Sequence, residues 1–170
     1  MKPERILQAA LALMLAAFGV ALYTSLHETI VNAGDAAPDF SFKSDDGKQY
    51  SVQNFGGKLL LLNFWASWCG PCVQEIPALN EMARALAPKG LVVLGVSVDK
   101  DDKAYKDFLK RVPLAYPSGR DPEQVINQRY GTLQFPESYL IDGKGRVVEK
   151  FVSVQAWASP QMISHVGSMM

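Results

Sequence analysis

Cysteine is nearly absent: the 170 residues hold two, Cys69 and Cys72. Two are too few for a disulfide-stapled fold, and a bridge across so short a loop adds little stability. Histidine is as sparse, with only His27 and His165. A zinc site built on the cysteine pair therefore lacks its further ligands. Haem attachment needs a histidine directly after the second cysteine, where Val73 stands. Excess charge is missing too. Lys+Arg and Asp+Glu number 17 each, which removes the basic footprint of a nucleic-acid binder and any acidic tail for a basic partner. Internal repeats and low-complexity tracts are not seen either. What is present is globular composition, 48% hydrophobic and 20% charged, enough for one packed domain.

The N-terminus departs from that average. Ile6 to Leu26 carries no charged residue. As a helix this run spans roughly 31 Å, the thickness of a bilayer's hydrocarbon core. Lys2 and Arg5 precede it, so the positive-inside rule keeps the N-terminus cytoplasmic and sends the rest across. Two readings stand. The segment is a retained anchor, or a signal peptide removed after Val31-Asn32-Ala33. The length of the run, and its ending well before Ala33, favour the anchor. Residues 1–33 are accordingly read as anchor and linker, and 34–170 as the folded domain.

Within the domain, Phe40 and Phe42 alternate with polar neighbours, Asp45-Asp46-Gly47 signals a turn, and Gln49-Tyr50-Ser51-Val52 returns, predicting a β-hairpin. Leu59 to Trp65 and Leu91 to Val98 are nearly continuous apolar runs, the mark of strands covered on both faces. Between them, apolar residues recur at helical spacing from Pro71 to Leu86, with Pro77 expected to kink the helix. A β-α-β crossover follows. Helices are predicted over Asp101 to Arg111, with Tyr105, Phe108 and Leu109 inward, and over Asp121 to Tyr130, with Val125 and Ile126 inward. Ser138 to Ile141 and Val147 to Phe151 flank the turn Asp142-Gly143-Lys144-Gly145, and Ser159-Pro160 opens a last helix. The order predicts an α/β fold, a mixed central sheet flanked by helices on both faces.

Trp68-Cys69-Gly70-Pro71-Cys72 falls where a buried strand ends and a helix begins. Free N–H groups and the helix dipole there favour a thiolate. Cys69 is therefore the candidate nucleophile, its pKa below the ordinary value near 8.5. Cys72, one helical turn deeper, can attack a mixed disulfide and release the product. A peroxide-reducing thiol has Thr or Ser three residues upstream, and Ala66 stands there. Dithiol redox chemistry is the expectation.

Asn63-Phe64-Trp65-Ala66-Ser67-Trp68-Cys69-Gly70-Pro71-Cys72, with Pro77 following, resembles the thioredoxin superfamily. More narrowly it resembles the membrane-anchored, exported TlpA/ResA/CcmG-like branch of bacterial thiol-disulfide oxidoreductases, over about Ala37 to Phe151. The resemblance implies a thioredoxin-like fold with an N-terminal β-hairpin and a β-α insert. It also places a cis-proline at Phe135-Pro136, facing the cysteines, where the Phe135 backbone pairs with an extended client chain. Glu75 matches a family acid three residues after the second cysteine. It is either a proton acceptor for Cys72 or a glutamate easing the helix dipole. Asn63 departs from thioredoxin itself, which has aspartate at the matching position. Trp68 is read as part of the docking surface with Gly70 and Pro71, and Glu137 as a tuner of partner choice or an exposed strand-start residue.

The resemblance implies a reductase of client-protein disulfides, such as those of apocytochrome c or copper-site proteins. It works on the periplasmic side of the inner membrane as a monomer, recharged by a transmembrane thiol donor and needing no cofactor. Gly-Pro between the cysteines is what thioredoxin carries, and thioredoxin is strongly reducing. Two alternatives remain open: a thiol oxidase or isomerase, and a module delivering Cu(I) between the two thiolates.

Overall fold

The computed structural model describes residues 3–26 and 30–170. They fall into two compact units, Met1–Ile30 and Val31–Met170. The first contains helix α1 (Pro3–Leu26), whose stretch Pro3–Leu22 is long and apolar enough to cross a membrane, a property shared by anchors and signal sequences. Lys2 and His27 to Thr29, the start of the segment read as a linker, lie outside the described residues.

The second unit begins earlier than Gly34. Val31 is buried, and its N–H donates to the Tyr130 carbonyl. Gly34 and Ala37 donate to the carbonyls of Val147 and Gly145, and Ala36 bridges to Arg146. Val31, read as linker, thus belongs to the folded unit, and the chain from Gly34 to Ala37 lies along the sheet.

A hairpin of β1 (Ser41–Lys43) and β2 (Gln49–Ser51) precedes the main sheet. That sheet is built from β3 (Leu59–Trp65), β4 (Leu91–Ser97), β5 (Ser118–Arg120), β6 (Glu137–Asp142) and β7 (Val147–Val152), in the order β5-β4-β3-β6-β7. β3 pairs parallel with β4 and antiparallel with β6, so the sheet is mixed and β3 is central. Its side chains alternate between two cores, as a strand's period of two requires. Leu60, Leu62 and Phe64 face the hairpin residues Phe40 and Phe42 and helix α4 (Val125–Tyr130) through Ile126 and Tyr130. Leu59 and Leu61 face α2 (Gly70–Leu86) and α5 (Pro160–Gly167) through Leu79, Met82, Leu86 and Val166. Burial on both sides explains why β3 reads as one apolar run. Helix α3 (Asp102–Arg111) packs Tyr105 and Phe108 against Trp65, with Leu109 partly buried beside them.

One strand is not foreseen in the sequence, and two expectations need correction. Strand β5 carries no apolar run, because Ser118, Gly119 and Arg120 join the sheet by pairing with β4 alone. Helix α4 starts at Val125, since the Asp121 carboxylate accepts the N–H groups of Val125, Ile126 and Asn127 and Gln124 takes a left-handed φ of 56°. Val125 consequently points outward, 48% exposed, while Ile126 is buried.

Gly95 lies in β4, where a Cβ would stand 2.9 Å from Ser118 Oγ, 3.0 Å from Trp65 Nε1 and 3.2 Å from Tyr116 Cε2. Gly95→Ala is expected to cost about 1–3 kcal/mol in urea unfolding. An unchanged midpoint would contradict this packing.

Candidate active site

β3 ends at Trp65, and the chain turns through Ala66 to Cys69, whose N–H donates to the Ala66 carbonyl at 3.2 Å. Cys69 is the N-cap of α2, and its Sγ accepts the Cys72 N–H at 3.2 Å. The pair is disulfide-bonded. That backbone donor and the aligned peptide dipoles of α2 favour a thiolate at Cys69 once the bond is reduced. Cys72 is more deeply buried, at 1% exposure against 7% for Cys69. An incoming disulfide therefore reaches Cys69 first. Gly70 and Pro71 lie exposed in the first turn, and the helix continues through Pro77.

The other residues singled out in the sequence gather around this turn. Trp68 is 67% exposed and meets half-buried Phe135 edge-on, with ring centroids 6.2 Å apart. Phe135 in turn packs against the cluster holding Cys69 and Cys72. The Phe135–Pro136 bond is cis, and Pro136 is buried at the start of β6. A cavity of about 360 Å³ opens on Trp68, lined also by Val98, Ala104 and Gln124.

Glu75 is buried, at 2% exposure. Asn63 occupies an odd position on β3 and so faces α2, which lets its amide donate to Glu75 Oε1 at 3.1 Å and to Ser138 Oγ at 2.9 Å. Trp157 Nε1 donates to Glu75 Oε2 at 2.9 Å, and the Gln155 N–H does so at 3.4 Å. Burial pushes the Glu75 pKa up, and the donors from Trp157, Gln155 and Asn63 offset that only in part. The alternative of a glutamate easing the helix dipole from solvent does not describe this side chain.

Glu137 is not an exposed strand-start residue. It is 3% exposed and paired with Lys150 at 3.0 Å, and it accepts the Tyr139 hydroxyl. Lys150 also donates to the Val31 carbonyl at 3.1 Å. The core around Tyr139 leaves Glu137 no route to solvent, so its charge is met inside.

Sequence reasoning missed Ser67, Ser97 and Asp99. Asp99 stands just past the carboxyl end of a buried strand, the edge where α/β sheets place their sites, and that position was the available signal. It missed Trp157 as well, for which no local signal exists.

The AhpC/TSA family matches residues 33–150. The ResA thiol-disulfide oxidoreductase of Bacillus thuringiensis subsp. konkukian is 33% identical over 159 residues, covering 91% of this chain and 92% of its own. The thioredoxin-like protein YneN of Bacillus subtilis is 39% identical over 124 residues, covering 71% and 72%. The chain belongs to the AhpC/TSA family. Among solved structures, a Chlorobium tepidum thiol:disulfide interchange protein DsbE superposes with a TM-score of 0.70 at 31% identity, covering 83% of this chain and 96% of that one. Within the family the chain is a thioredoxin-like thiol-disulfide oxidoreductase, as the paired cysteines at the helix start require of it.

A raised Glu75 pKa has a fixed sign. Below its ordinary range the carboxyl is neutral whether folded or unfolded. As pH rises, the unfolded chain ionises first and stability is lost until the folded pKa is passed. Relative to the parent, Glu75→Gln should therefore gain melting temperature as pH rises from the ordinary glutamate range toward neutrality. A difference that stays constant with pH would show that Glu75 is not held above its usual value.

Proposed function

We propose that this oxidoreductase reduces disulfides in exported client proteins. The observation that carries the reading is the joint placement of Cys69 at the mouth of α2, Phe135 packed against the cysteine cluster, and the buried carboxylate of Glu75 on the inner face of the same helix. In the proposed cycle the Cys69 thiolate attacks one sulfur of a client disulfide, forming a mixed disulfide and releasing the other client sulfur as a thiolate. Cys72 gives its proton to the Glu75 carboxylate and attacks Cys69 Sγ. The second client thiol leaves, and the Cys69–Cys72 disulfide remains. Two electrons have passed to the client, so an external dithiol must return two.

Trp68 and Phe135 supply the apolar flank of the docking surface, with exposed Gly70 and Pro71 beside them. Gly70 helps by absence, since a Cβ there would touch nothing within 4 Å. A client strand can thus come close to Cys69. The Phe135 backbone pairs with that strand by strand addition.

Helix α1 acts as a retained anchor. Removal after Ala33 would take away Val31, which is packed into the domain core and held through both backbone groups. Lys2 and Arg5 then place the domain on the periplasmic side, where a transmembrane thiol carrier is the donor and apocytochrome c or copper-site proteins are the clients. The domain acts as a monomer. Cu(I) delivery is disfavoured, since Met82, Met162 and Met170 pack in the α2–α5 core and not with the cysteines.

Cys72→Ser in the full chain is expected to accumulate a client joined to Cys69 through a bond that dithiothreitol breaks, while Cys69→Ser accumulates none. Equal trapping by the two variants would contradict the assignment of nucleophile and resolving thiol.

A further inference from the structure

We infer that Asp99 is a positioning residue that clamps the turn carrying Cys69 and whose buried charge keeps the cysteine pair reducing. The inference rests on the dithiol cycle proposed above.

Asp99 follows β4 and is 2% exposed. Its Oδ2 accepts the Ser67 N–H at 2.8 Å and its Oδ1 accepts the Ser67 hydroxyl at 2.6 Å. The Ser97 hydroxyl donates to Oδ2 at 2.6 Å, while the Asp99 N–H donates to Ser97 Oγ at 3.1 Å. The two hydroxyl contacts have the length of bonds to a carboxylate. Ser67 is the second residue of the Ala66–Cys69 turn, so the carboxylate holds that turn by main chain and side chain together. The same strand end is fixed by the Val98 N–H, which donates to the Trp65 carbonyl at 3.0 Å. The turn is therefore held at its main chain, at a side chain and at the strand end behind it.

What the carboxylate lacks matters as much. Among the described residues no cation forms an ion pair with it. Arg120 donates to the Asp99 and Lys100 carbonyls and pairs with Asp102 at 2.8 Å. The carboxylate is met by the neutral donors of Ser67 and Ser97, and Ser67 stands two residues before Cys69. Charged groups on the neighbouring elements include Glu75 on α2, Lys100 and Asp101 in the exposed loop, and Glu137 with its partner Lys150 on the sheet.

A buried anion close to Cys69 opposes the thiolate that the α2 terminus favours. Reduction of the pair adds two electrons to the disulfide, with two protons where both thiols are neutral and one where Cys69 remains a thiolate. An environment that stabilises the reduced, thiolate-bearing form makes such a pair oxidising, and one that destabilises it makes the pair reducing. Asp99 acts in the second direction. Its charge offsets the helix dipole, and its hydrogen bonds keep that charge beside the turn.

The test is the equilibrium of the full chain in detergent against a dithiothreitol buffer of fixed ratio and pH, with free thiols counted by alkylation. Asp99→Asn keeps the shape and removes the charge. It is expected to shift the equilibrium toward the dithiol by about fivefold or more, the order of a single-charge effect between neighbouring groups inside a protein. Ser67→Lys brings an ammonium onto the intact carboxylate and is expected to shift it the same way, which decides the matter should Asp99→Asn fail to fold. Ser67→Ala keeps the charge and the main-chain bond, and is expected to stay within about twofold of the parent. An Asp99→Asn equilibrium within that margin, or a Ser67→Ala shift as large and in the same direction, would reduce Asp99 to a merely structural residue. A parent chain that does not exchange with the buffer at all would instead overturn the dithiol reading on which the inference rests.

Discussion

The position of β3 is the constraint from which the rest follows. Paired on both edges and covered on both faces, it has no freedom to shift register, because a slip of one residue would turn Leu60, Leu62 and Phe64 into the space of Leu59 and Leu61. Its last residues are therefore fixed in space, and so is the turn that follows. Cys69 inherits that rigidity directly, as the cap of a helix whose opposite face is pinned by Leu79, Met82 and Leu86. The same register points Asn63 at α2, which is what brings an amide onto Glu75.

Two buried carboxylates flank the cysteine pair without a cationic partner among the described residues, and they do different work. Glu75 sits under three pure donors and is still held above its usual pKa, which suits a group that takes a proton and returns it. Asp99 is bound to a turn and not to the mobile chemistry, so its charge is a fixed background. Glu137 shows the contrast. With Lys150 against it and the Tyr139 hydroxyl on it, its charge is met locally, and it braces the strand after Pro136.

Much of this was legible in the chain because the signals were local. Apolar runs marked β3 and β4, and the step from strand to helix at Cys69 gave the pair its chemistry before any geometry was known. The hairpin at Asp142–Gly145 and the cap at Ser159 were also in plain sight, and Ser159 Oγ does accept the Met162 N–H at 3.2 Å. What escaped depends on partners far along the chain. β5 exists only because β4 offers it an edge. The outward turn of Val125 follows from Asp121 capturing three N–H groups. The clamp at Ser67 joins residues separated by 32 positions, and Trp157 reaches Glu75 across 82. No window of sequence contains either.

In the proposed cycle electrons leave the Cys69–Cys72 pair for a client, with fixed negative charge holding the pair on the reducing side. The reduction potential of the intact chain, equilibrated against defined thiol buffers, tests it most directly. A value close to that of thioredoxin, about −270 mV, is the predicted result. A value near −120 mV, that of a strong thiol oxidant, would reverse the direction of the cycle and contradict the account.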